Sequence, residues 1–247
     1  MKTTKKILAA AVAASTLSAV SLAPVANAEI AASVGIASSY HWRGFDLGSG
    51  TPAVSGDIVA SKNGFYGGMW VSSGDTSAGT EYDLFFGYGG EVGNFSYDIS
   101  YVSYIYPTGG FEEVEGPGDF SEIIVNLGIG PVSAFVYTNV TGASEDEALA
   151  GTRYAFIEGE YMYYGVAAEF GAFSALLAKH DESVMGADGL ESASEANPGV
   201  TGDATHFDLS YAYNDNLSFT FSTILSSELG DGEPSPKFVV SYSMPIE

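Results

Sequence analysis

Residues 29 to 247 are predicted to form an all-β protein: a closed antiparallel transmembrane β-barrel of about twelve strands, with short turns at one end and longer acidic loops at the other. Three observations predict it. Segment after segment sorts apolar from polar residues by parity, the period of two that a strand requires. The connections alternate long and short to the end of the chain, the layout of bacterial outer-membrane barrels with periplasmic turns and extracellular loops. Beyond the N-terminal leader, no stretch reaches the eighteen or so consecutive apolar residues of a membrane helix, so a spanning chain of this kind must close as a barrel.

Residues 1–28 read as a cleaved secretory signal peptide. Lys2, Lys5 and Lys6 make a basic start, Ile7 to Leu22 an apolar stretch, and Ala26-Asn27-Ala28 an A-x-A cleavage site. The leader carries three lysines and no acid, so its removal takes the formal charge from -23 to about -26. Arg43, Lys62, Arg153, Lys179 and Lys237 are then the strong bases left. This balance argues against nucleic-acid binding and docking on an anionic lipid surface, and favours either cations as partners or a salty or alkaline habitat. Cysteine is absent, which removes disulfides and thiolate metal sites.

The strands follow in order. Ile30 to Arg43 places Ile30, Val34, Ile36, Tyr40 and Trp42 on one face and Ser33, Gly35, Ser39, His41 and Arg43 on the other. Gly44 to Pro52 is a loop, rich in Gly, Ser and Asp. Ala53 to Ser61 and Phe65 to Ser73 are strands joined at Lys62-Asn63-Gly64. Thr80 to Tyr88 and Phe95 to Tyr106 flank a glycine-rich turn, and a loop with Glu112, Glu113 and Glu115 follows. Phe120 to Ile129 turns at Gly130-Pro131 into Val132 to Thr138, and the next loop holds Glu145, Asp146 and Glu147. Arg153 to Tyr161 and Tyr164 to Lys179 form the next pair, with the turn placed near Met162 and Tyr163. After the acidic segment Asp181 to Thr205 come His206 to Tyr213, a turn at Asn214-Asp215-Asn216, Leu217 to Leu225, and a closing strand from Phe238 to Ile246.

A soluble sandwich also alternates, and three features favour lipid. The apolar phase carries no charge, as expected where a lipid-facing Lys or Arg at the midplane costs about 2–4 kcal/mol. Aromatics recur at strand ends: Tyr40, Trp42, Tyr82, Tyr88, Phe95, Tyr213 and Tyr242 are the expected membrane girdle. The polar phase is Ser, Gly, Ala and isolated acids, with little of the Lys, Glu and Thr of a water-facing sheet. The expected location is the bacterial outer membrane, with its lipids and small solutes or ions as partners. A homo-oligomer is compatible with this, though no residues mark an interface.

Ser38-Ser39-Tyr40-His41-Trp42-Arg43-Gly44-Phe45, Pro52-Ala53-Val54 with Ser55-Gly56, Gly64 to Trp70, Gly79 to Leu84 with Gly87-Tyr88, and Phe95 to Asp98 with Tyr106-Pro107 resemble the TorF-type porin family, Gcw_chp-like bacterial outer-membrane proteins that show a Tyr-x-x-Arg-Gly run after the leader. The resemblance is specific over residues 30 to 107 and implies an outer-membrane channel. One departure is the end, Pro245-Ile246-Glu247, where such barrels usually carry a terminal aromatic.

The polar phase is expected to line the lumen. It holds Asp57, Glu81, Asp83, Asp98, Glu122, Glu158, Glu160, Glu169 and Asp208 against His41, Arg43, Lys179 and His206. Such a lumen either conducts, preferring cations, or is plugged by ion pairs among these residues, since twelve strands leave little lumen once side chains fill it. Arg43 is the central plug partner or a constriction residue accordingly. The acidic loops either bind divalent cations or stay solvated, and no EF-hand spacing is present. No catalytic residues, metal site or cofactor are expected: His41, His180 and His206 lack a metal signature, and no G-x-S-x-G elbow occurs. His41 and His206 fall on the luminal phase and His180 at a loop edge, which disfavours a lipid-facing hydrolase. A diffusion channel and a non-conducting barrel with acidic cation-binding or shielding loops stand as the two functional expectations.

Overall fold

Alternation becomes a wall. The computed structural model describes residues 29–76, 79–108, 117–118, 120–141, 161–182, 203–227 and 236–246. Among these, the chain order is β1 (Glu29–Ala37), β2 (His41–Trp42), β3 (Phe45–Asp46), β4 (Ala53–Lys62), β5 (Phe65–Asp75), β6 (Gly79–Val92), β7 (Phe95–Ile105), β8 (Phe120–Ile129), β9 (Val132–Thr141), β10 (Tyr161–Phe170), β11 (Phe173–Glu182), β12 (Ala204–Ala212), β13 (Leu217–Ser227) and β14 (Lys237–Pro245). Twelve of these, β1 and β4 to β14, pair antiparallel with their neighbours, and β1 closes the ring against both β4 and β14. The described residues contain no helix. Wall strands run from 9 to 14 residues, enough for a tilted strand to span a hydrocarbon layer. The leader, the loop acids Glu112, Glu113, Glu115, Glu145, Asp146 and Glu147, and Glu158 and Glu160 lie outside the described residues.

The apolar phase faces outward. Ile30, Phe65, Phe86, Ile129, Tyr213 and Phe238 are each more than 60 % exposed, while the buried cluster of Val59, Phe85, Val102, Tyr104, Ile124, Tyr137, Tyr161, Tyr163 and Ala178 lies inside the ring. This inverts the dressing of a soluble protein, where large apolar side chains cover the core and seldom form broad exposed belts.

Two strand expectations change. The hairpin expected at Met162 and Tyr163 turns instead at Gly171-Ala172, with Phe170 opposite Phe173. Gly171 supplies the positive φ, 69°, that a two-residue turn needs, whereas Met162 and Tyr163 continue a pleated strand. The shift resets the phase of β11, so His180 points inward and Lys179 outward. The first strand ends at Ala37 rather than Arg43. Ser38 makes the last bonds to the wall, its N–H to the Val240 carbonyl and its hydroxyl receiving the Val240 N–H, and the chain then leaves the sheet.

Candidate functional site

From Ser39 the chain turns into the barrel as a miniature hairpin. His41 pairs with Asp46 and Trp42 with Phe45, leaving Arg43 and Gly44 as the two-residue tip. Both tip residues have positive φ, 45° and 95°, the torsions of a type I′ turn. Gly44 is required twice over: a Cβ there would meet His206 Cγ at 2.8 Å. At the base, Asp46 organises the return by accepting the N–H groups of Gly48 and Gly50 and the Ser39 hydroxyl. The Leu47 carbonyl accepts from Thr76, which ties the hairpin to the β5–β6 connection.

Arg43 is 3 % exposed and sits in a built cage. Its Nη1 and Nη2 donate to the two oxygens of Glu122 at 2.9 and 2.6 Å, a bidentate pair. Nη1 also donates to the Tyr161 hydroxyl at 2.6 Å, and the Tyr104 hydroxyl donates to Glu122 at 2.6 Å. The rings of Trp42, Tyr137 and Tyr163 each lie 4.7 to 4.8 Å from the guanidinium carbon, within cation–π range. Burial is the largest single influence and would pull the guanidinium down, but the Glu122 carboxylate and the Tyr161 and Tyr104 phenols together outweigh it and hold Arg43 well above its ordinary range.

His180 closes this arrangement on itself. Its Nε2 bonds the Arg43 carbonyl at 2.8 Å, which can only accept, so Nε2 carries the proton. Nδ1 is then the acceptor for the Tyr161 hydroxyl at 3.0 Å. Alongside, His206 Nδ1 bonds Asp208 at 3.0 Å and Nε2 bonds the Tyr163 hydroxyl at 2.8 Å, while His41 Nε2 lies 3.8 Å from Asp208. Nearer the base, Tyr40 stacks on Trp70 and donates its hydroxyl to Glu81. Burial, reinforced by the Glu81 carboxylate, raises the Tyr40 phenol well above its ordinary value, so it stays a donor.

Of the expected luminal residues, Glu81, Asp83, Glu122, His206 and Asp208 are buried on the inner face of the wall, and His41 and Arg43 are buried on the hairpin. Asp57 and Asp98 face inward and are half-buried, Asp57 accepting from Ser33 and Asp98 from Tyr66. Glu169 keeps the inward phase but is exposed beside the Gly171 turn. Lys179 is the correction: it faces outward and pairs with Asp203 at 2.6 Å, because the turn lies at Gly171. Tyr82, Tyr88, Phe95, Tyr213 and Tyr242 are exposed on the outer surface. Tyr40 and Trp42 are not girdle residues: the chain has left the wall by then, so strand parity no longer decides their side, and both lie in the lumen.

Sequence reasoning missed His180, Tyr161 and Tyr163, whose phase hangs on the misplaced turn. Tyr104 and Tyr137 carried a usable signal, aromatics on a polar phase otherwise made of small residues.

The model of a family described as "Bacterial protein of unknown function (Gcw_chp)" matches residues 22–215. No curated protein matches the sequence. Similar solved structures include outer membrane phospholipase A from Escherichia coli, at 10 % identity and a TM-score of 0.43 over 92 % of this chain and 98 % of that one. OccAB3 of Acinetobacter baumannii is similar at 15 % identity and a TM-score of 0.37, over 86 % of this chain and 60 % of that one.

Proposed function

The chain belongs to the Gcw_chp family, and from that premise and its own geometry we propose that it is a bacterial outer-membrane channel: exported by cleavage after Ala28, embedded through residues 29–247, and passing small cations by diffusion through a lumen that the hairpin narrows. The inverted barrel carries this proposal. Its outer face is an apolar belt with aromatics at the strand ends, a surface that lipid covers and water does not. The early motifs that resemble TorF-type porins agree with it, and they now have physical roles: Tyr40, Arg43 and Gly44 are anchor, tip and turn of the luminal hairpin.

Cation preference follows from the inward charges. Asp57, Glu81, Asp83, Asp98, Glu122 and Asp208 face the lumen, against Arg43 and three histidines, and a low-dielectric wall focuses the field of such an excess. Enzymatic chemistry is not part of the proposal, because His206 spends both ring nitrogens on Asp208 and Tyr163 and no histidine faces the lipid side. The buried Arg43–Glu122 pair favours a second reading, a barrel that stays plugged. Planar-bilayer recordings separate the two: the expected result is cation-selective steps, with a reversal potential of cation sign in a salt gradient. Anion selectivity would refute the preference, and absence of steps from folded protein would favour the plugged barrel.

A further inference from the structure

The chain holds three histidines, and the fold brings all three, each no more than 3 % exposed, to the seat of the hairpin. They are not equivalent. His41 and His206 share the Asp208 carboxylate, at 3.8 and 3.0 Å. His180 bonds no carboxylate among the described residues: it holds the hairpin by its backbone, through the Arg43 carbonyl, and by its side chain, through Tyr161 to Arg43 Nη1. Around its ring lie Trp42 and Phe45 of the hairpin, Tyr163 of β10 and His206 of β12.

We propose that His180 is a proton-operated latch on the hairpin: neutral, it keeps the tip seated in the lumen, and its protonation releases the tip. The proton has one place to go, Nδ1, since Nε2–H is already committed to the Arg43 carbonyl. An Nδ1–H then faces the Tyr161 oxygen, which already accepts from Arg43, so the bond from the Tyr161 hydroxyl to His180 is lost. The imidazolium also lies beside the Arg43 guanidinium, and Glu122, the carboxylate that compensates Arg43, is fully engaged in two bonds to it. The seated state therefore resists the proton. Once the tip leaves and water enters, His180 titrates as an ordinary histidine near 6.5. The released state binds more protons, so acid favours it, by roughly tenfold in the released-to-seated ratio for each pH unit below about 6.5. That release also opens a passage rests on the channel proposed above; release itself does not.

The chain reports on the latch without a label. Its two tryptophans are Trp42, on the hairpin, and Trp70, stacked under Tyr40. Intrinsic emission of the full-length barrel in detergent is titrated from about pH 8 to about pH 4, with heat-modifiable gel migration to confirm that the barrel stays folded. The expected result is a reversible red shift on acidification, absent in His180→Gln, whose amide can donate to the Arg43 carbonyl but takes up no proton. A wild-type spectrum that does not move while the barrel stays folded overturns the latch, with or without the variant. So does a variant that titrates with the wild-type midpoint. Bilayer recordings over the same range keep the two proposals apart: a red shift without conductance at any pH sustains the latch and removes the channel, and conductance without a red shift removes the latch.

Discussion

The two ends of the lumen are made differently from the same wall. Toward the long connections, Tyr104, Glu122, Tyr161, Tyr163, His180 and His206 are all at most 5 % exposed and converge on a segment that has come inside. Toward the short turns, inward positions such as Ser33, Asp57, Ser96, Asp98, Ser100, Ser133 and Gly165 are small or acidic and only half-buried, although Val59, Ser210, Ser218 and Thr220 are buried there. The difference shows what a sheet can and cannot fill. Side chains alone fill a barrel of about eight strands, and barrels of sixteen or more leave an aqueous channel. At twelve strands, closing one end takes a piece of backbone, and the hairpin is that piece.

The first way to break this comparison is to strike the filled half. Glu122→Ala leaves the Arg43 charge buried without its bidentate partner and is expected to cost about 3–5 kcal/mol, read as loss of stability in urea and as a red-shifted tryptophan spectrum. Gly44→Ala forces a side chain onto a φ of 95° and against the His206 ring, with an expected cost of about 1–3 kcal/mol from the backbone conformation alone, measured the same way. In the open half, Asp98→Asn weakens one bond from Tyr66, 2.8 Å in the wild type, and should cost about 0.5–1.5 kcal/mol without moving the tryptophans. A loss for Asp98→Asn as large as for Glu122→Ala would erase the distinction between the halves. Lys179→Ala, outside the lumen altogether and partly exposed, should change stability by about 0–1 kcal/mol.

What the sequence made legible was whatever a strand decides locally. Parity within β4, β6 to β8 and β12 to β14, the glycine and asparagine turns and the outward aromatics at Tyr82, Tyr88, Phe95, Tyr213 and Tyr242 follow from residues a few positions apart, whereas β5, apolar or small on both faces, shows no facing in its sequence. The departure at Ser38 does not: it is fixed by partners far along the chain, Glu122 lying 79 residues and His180 137 residues from Arg43. Extending the alternation to Arg43 therefore gave Arg43 its luminal side and gave Tyr40 and Trp42 the wrong one. His180 was hidden for another reason. A strand run on through the true turn, because its hairpin was placed about nine residues too early, keeps a plausible pattern yet inverts every side chain beyond that turn, and Gly171 was the residue that marked the true position.

Single-channel recording of wild type beside Arg43→Ala tests the central claim most directly, namely that an acid-lined passage is narrowed by a hairpin whose tip is Arg43. Removing the guanidinium unseats the tip and takes one positive charge from the lumen, so the expected result is larger steps with stronger cation selectivity than in wild type. Conductance and selectivity identical to wild type, in a variant that has lost folding stability, would contradict the claim and leave Arg43 a structural ion pair.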